Sequence, residues 1–235
     1  TRRRPVVLAI TNGAGAPVAA LADLVLDTKA GRELCPSTMT FAGSLVALAT
    51  VIGILGGGTT EAVTASVTDE AASAAARAAA LLGDPDGTGV RLAAWLDGRP
   101  TILALGRGTG LAAAEMTALT LMEAAGVPAA ALPTAEFRHG PLEVVGPGVA
   151  VILFALEPST EALDRAFAGE LAAAGAVVLL VGPPGPAPRG VEPIEARVSA
   201  SKPLPLIVKV TLPGKTDDGE TSATTSGGTS MITTG

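Results

Sequence analysis

Four uninterrupted aliphatic runs constrain this chain more than any other feature. They are "PVVLAIT" (5–11), "PTILALG" (100–106), "VAVILFAL" (149–156) and "AVVLLVG" (176–182), with polar residues only at their ends. A strand with one wet face alternates apolar and polar residues. A run that is apolar on both faces suits a parallel sheet covered by helices on each side. Helical segments lie between the runs, so the connections are right-handed crossovers in a three-layer αβα arrangement. Composition agrees: 48% of residues are hydrophobic but only 2% aromatic, so the core is built from Ala, Val, Leu and Ile.

The coarse order follows from punctuation. A short strand is expected over 22–28. A helix opens at Pro36, with Ser37 or Thr38 as N-cap, and ends at "GGGTT" (56–60). An alanine-rich helical segment, in one piece or two, covers 61–83, and a short helix precedes Pro100. The pattern then restarts, with a strand entering the "GRG" loop (106–108), a helix to Gly126, the strand from Val149, a helix capped by Ser159, and the strand from Ala176. The fold class expected is α/β, with two tandem flavodoxin- or Rossmann-like units. The stretch from 199 has no helical period and reads as a disordered tail, with one strand conceivable over 205–212.

Several functions are disfavoured. A net charge of −6 argues against a nucleic-acid surface, and "TRRR" (1–4) reads as a solvated end. One cysteine and one histidine leave no internal disulfide and make a zinc site improbable. Neither a metal nor a cofactor is expected. Cys35 reads as a buried small residue. The apolar run 45–55 is too short to span a bilayer and reads as a buried helix. With no signal peptide visible, a cytoplasmic setting without membrane contact is expected.

Four places could carry chemistry. The loop holding Gly106 and Gly108 follows a strand and opens a helix, so its amides could hold an anion; a plain tight turn explains it equally well. Ser37 and Thr38 could form a phosphate cradle at a helix start or serve only as caps. Glu123, on an otherwise apolar helix, could move a proton or be an exposed carboxylate. His139, in "TAEFRHGPLEVV" (134–145), taken alone is structural more often than catalytic.

Together these segments resemble the sugar isomerase (SIS) domain family. "TNGAGAPVAALADLVLDTKAGRELCPSTMTFAGSLVAL" resembles the end of a first SIS domain, through its Ile-Thr-Asn strand end, Ala-Gly-x-Glu segment and Ser-Thr helix start. "LALGRGTGLAAAEMTALTLMEAAGVPAAALPTAEFRHGPLEVV" resembles the second domain, where a Gly-Arg-Gly loop and a glutamate-bearing helix precede Glu-[Leu/Phe]-[Lys/Arg]-His-Gly-Pro. The resemblance implies the end of a first SIS domain over 1–60, connecting helices over 61–98, a second domain over 99–198 and an atypical tail over 199–235. It implies a hexose or amino-sugar 6-phosphate as ligand, such as fructose-6-phosphate or glucosamine-6-phosphate. Ser37 and Thr38 match the pair that helps bind the phosphosugar. Glu123 matches the glutamate that shuttles a proton between C1 and C2. His139 matches the ring-opening histidine, which in the family serves a neighbouring subunit and so implies a homodimer.

There are departures from the family pattern. Its first phosphate loops, a Gly-Thr-Ser turn and a Ser-x-Ser-Gly-Glu-Thr segment, would precede Thr1, so the first domain is expected to be truncated. Thr120 and Met122 replace the lysines of a Lys-Leu-Lys-Glu segment. Lys202, Lys209 and Lys215 are available in the tail, without a convincing match to the family's C-terminal lysine. Isomerase, deaminase and deglycase activities share the pattern. A non-catalytic sugar-phosphate-binding regulator and an inactive remnant stand as alternatives.

Overall fold

A computed structural model describes residues 4–83 and 87–196. The tail, the 205–212 segment and Lys202, Lys209 and Lys215 lie outside the described residues. The chain divides into two compact units, Thr1–Ser73 and Ala74–Gly235.

In the first unit, β1 (Leu8–Thr11) and β2 (Leu24–Asp27) pair in parallel, in register from Leu8↔Leu24 to Thr11↔Asp27. The two expected strands thus shrink to four residues each. Asp23 fastens the entry to the pair: its carboxylate accepts from the Val7 N–H at 2.9 Å and from the Arg4 guanidinium. The helix α1 (Thr38–Leu55) comes close to the end of β2 at Gly43, where a Cβ would stand 2.9 Å from that of Thr28.

α1 departs from its expected burial. Gly53 is its only buried residue, and Leu48, Ile52, Ile54 and Leu55 are exposed. The cause is area: two four-residue strands cannot cover a helix about 27 Å long. The run expected to be too short also extends N-terminally into an 18-residue helix of mean hydropathy 2.0. Among the described residues it is the one helix that could cross a membrane by length and composition, a criterion that core helices of α/β proteins also meet. The alanine-rich segment forms one helix, α2 (Thr60–Leu82), within which the unit boundary falls.

The second unit runs α3 (Thr88–Leu96), β3 (Thr101–Gly106), α4 (Thr109–Ala125), β4 (Ala129–Pro133), α5 (Thr134–Phe137), β5 (Val149–Phe154), α6 (Glu161–Ala173), β6 (Val177–Gly182) and β7 (Val191–Glu195). Among the described residues its five strands are all parallel, in the order β4-β3-β5-β6-β7. Two apolar layers flank the sheet. On one face Leu92 and Leu96 of α3 and Ala113, Ala114, Ala118 and Leu121 of α4 pack on Ile102, Ile152 and Leu179. On the other, Phe137 of α5 and Phe167, Ala168 and Leu171 of α6 pack on Leu105, Leu153 and Leu180. Small residues let α4 lie close to the sheet: a Cβ at Gly110 would stand 2.7 Å from the Phe154 carbonyl oxygen.

Candidate functional site

The strand order reverses between β3 and β5, and the crevice beyond such a switch point is where open α/β sheets receive ligands. The Gly106–Gly108 loop stands there. Packing alone requires both glycines. A Cβ at Gly106 would meet the Gly110 carbonyl oxygen at 2.2 Å, and Gly108, at φ +49°, would meet Glu157 Oε2 at 2.7 Å. The Glu157 carboxylate therefore sits against the start of α4, where a phosphate would have to go. Arg107 between the glycines is turned to α6: its Nε donates to Asp164 Oδ1 at 2.8 Å, and Asp164, fully buried, also accepts from Thr160 Oγ1 at 3.2 Å. This ion pair fixes the loop to α6. The sequence signalled the glycines but not Asp164, which reads there as an ordinary acid in the first turn of a helix.

His139 stands at the same edge, since Pro133 at the end of β4 pairs with Gly106. The segment turns sharply after β4. Phe137 is fully buried, Arg138 and His139 are exposed, the His139 N–H donates to the Glu136 carbonyl at 2.9 Å, and Gly140 takes φ +126°. The Arg138 guanidinium lies 4.5 Å from the centroid of the Phe167 ring and pairs with Glu170 at 2.9 Å. An exposed pair of this kind contributes about 0–1 kcal/mol, and an exposed cation–π contact about 0.5–1 kcal/mol.

Glu123 lies at the opposite edge. It lies fourteen positions along α4 from Thr109, about 21 Å, in the last turn of the helix leading into the start of β4. The buried stripe of α4 includes Thr117, Thr120 and Leu121, whereas Met122 and Glu123 are exposed. α4 packs on one face of the sheet and the His139 turn belongs to the other. Glu123 and His139 of one chain therefore do not share a site within the second unit.

Ser37 and Thr38 belong to the first unit. Ser37 holds the N-cap position of α1, yet its hydroxyl makes no capping bond. Glu33 caps instead: its carboxylate accepts from the Met39 N–H and, at 2.9 Å, from the Thr40 N–H. An anion at these amides has to displace or join a carboxylate. Glu33 was visible in the sequence only as part of the Ala-Gly-x-Glu segment. Cys35, expected to be buried, is exposed, because it lies in the loop before α1 rather than on its packed face. Nearby, Asp27 Oδ1 accepts from the Lys29 N–H at 3.0 Å and the Gly13 N–H at 3.2 Å, and Oδ2 pairs with Lys29 Nζ at 3.0 Å. The Lys29 backbone N–H first, then its ammonium, hold the Asp27 carboxyl below its ordinary value. Among the described residues no three His, Cys, Asp or Glu side chains gather as a metal would need.

Known proteins resemble this chain in sequence and in fold. Residues 96–182 match the SIS domain. The chain is 33% identical over 185 residues to glutamine–fructose-6-phosphate aminotransferase (isomerizing) of Aeropyrum pernix; the match covers 75% of this chain and 29% of that protein. The chain thus spans less than a third of the length of the curated relatives it matches. Among solved structures, a candidate phosphosugar isomerase from Silicibacter pomeroyi aligns with TM-score 0.68 at 28% identity, over 84% of this chain and 57% of that one. The C-terminal domain of glucosamine-fructose-6-phosphate aminotransferase from Francisella tularensis aligns with TM-score 0.71 at 23% identity, over 85% and 58% respectively, a likeness of fold. Over residues 96–182 the chain carries an SIS domain.

Proposed function

We propose that this chain binds a hexose or amino-sugar 6-phosphate and interconverts its ketose and aldose forms or deaminates it. Fructose-6-phosphate and glucosamine-6-phosphate are the first candidates. The observation that carries the reading is the pair of exposed groups in the matched unit: Glu123 on the outward face of α4, and His139 on a turn anchored to α6. In the mechanism, Glu123 takes a proton from one of two adjacent carbons and returns it to the other through an enediol. His139 opens the ring by proton transfer at the ring oxygen. The two tasks call for separate groups at separate positions. Because the two residues lie at opposite edges of one sheet, a site using both takes Glu123 from one copy and His139 from another, which favours a homodimer. Ser37 and Thr38, in the first unit, are the candidate phosphate-binding pair. Incubation with fructose-6-phosphate and with glucosamine-6-phosphate tests the reading: turnover that disappears in Glu123→Gln supports it, and no turnover of either sugar refutes it.

A second reading is binding without catalysis, as in a sugar-phosphate sensor. Two observations favour it. The positions flanking Leu121 that carry lysine in the family hold buried Thr120 and apolar Met122, so no cation accompanies Glu123 there. Glu33 already occupies the first amides of α1. Thermal stabilisation by sugar phosphates with no turnover distinguishes this reading from the first.

A further inference from the structure

We infer that Arg138 is a positioning residue for His139, acting through its grip on α6; the inference rests on the proposal that His139 acts on a sugar phosphate. The turn bearing His139 has little rigidity of its own. α5 is only four residues long, the His139 N–H donates to the Glu136 carbonyl at its end, and Gly140 follows at φ +126°. Its direction is imposed from outside by two consecutive residues that hold one aromatic ring. Phe137, fully buried, meets Phe167 edge-on, with ring centroids 6.3 Å apart and an interplanar angle of 62°. Arg138 covers the ring from 4.5 Å and is tied to Glu170 one turn further along α6. Phe167, Ala168 and Leu171 anchor α6 in the core. The last fixed point before the exposed imidazole is therefore the Arg138 guanidinium. One of its two terminal nitrogens, Nη2, donates to Glu170, and its role is exercised through the backbone of the next residue. Exposed contacts of this kind add little to folding, so their effect is expected in where His139 points and not in whether the chain folds.

The single histidine of the chain makes this measurable without any assumption about activity. In the full chain with isotopically labelled histidine, the Cε1–Hε1 resonance reports on one residue only. The expected result is that Arg138→Met and Glu170→Gln shift or split this resonance while lowering the melting temperature by at most a few degrees. Turnover in Arg138→Met falls through kcat by about tenfold to a hundredfold, the scale of a misplaced reacting group, with a smaller change in KM. Arg138→Lys, which keeps the charge for Glu170, recovers part of the loss. A resonance in Arg138→Met that superimposes on that of the unaltered chain overturns the inference, as does a moved resonance with unchanged kcat. If the unaltered chain turns over no sugar phosphate, the catalytic reading of His139 fails, and the resonance still decides whether Arg138 anchors it.

Discussion

Glu123 sits in the last turn of α4, where no basic residue accompanies it and where the partial negative charge of the helix end opposes a carboxylate. A residue that breaks a local rule without local compensation points to a role elsewhere. Glu123→Gln is accordingly expected to abolish turnover while raising stability slightly, by about 0.3–1 kcal/mol. Thermal denaturation run beside the activity assay checks both halves, and a marked drop in melting temperature contradicts the account. Asp27 behaves oppositely. Its folded-state pKa is lowered from 3.8, chiefly by the Lys29 N–H. The stability it contributes is therefore complete above that value and is lost as pH falls through the lowered one. Asp27→Asn should flatten the acid limb of the melting-temperature profile below about pH 4; an unchanged limb assigns the acid sensitivity to other carboxylates.

At the scale of elements, two carboxylates hold the segments that carry the candidate residues. Glu33 caps α1, so Glu33→Ala should cost about 1 kcal/mol and loosen the Ser37–Thr38 start, as seen by faster amide exchange at Met39 and Thr40. Asp164 ties the Gly106–Gly108 loop to α6. Asp164→Ala leaves the Arg107 guanidinium without its partner, at a cost of about 3 kcal/mol, the lower end for a buried pair, because the Arg107 side chain keeps 24% of its exposure. A denaturant titration measures it, and a loss below half that figure makes the pair peripheral to the fold. The sequence showed central elements more clearly than edges. β3, β5 and β6 are covered on both faces and read as unbroken aliphatic runs. β4 ("AAALP") and β7 ("VEPIE") are the sheet edges. Alanine in β4 carries no strand preference, and Pro193 in β7 speaks against a strand except at an edge. Both emerge only from pairing with β3 and β6.

For the molecule as a whole, the candidate residues stood out in the sequence, and the resemblance implied that His139 serves a neighbouring subunit, but where each residue lies on the sheet was not legible there. Glu123 and His139 stand out by residue type and neighbours, because a helix carboxylate and a lone histidine in Glu-Phe-Arg-His-Gly-Pro need no coordinates to be noticed. Their separation arises from topology: α4 leads back to the starting edge of the sheet, and β4 then carries the chain forward to the other edge. The contacts that hold the candidate segments, Arg138 to α6 and Arg107 to Asp164, join positions 32 and 57 residues apart and leave no local pattern. The separation of Glu123 from His139 leads to the central claim, that a working site draws them from different copies of the chain. Mixing inactive Glu123→Gln and His139→Ala variants under conditions that exchange subunits tests it directly. Half of the randomly formed dimers are hybrids, each with one of two sites intact, so activity should recover to about a quarter of that of the unaltered chain. A mixture no more active than its two parents contradicts the shared site.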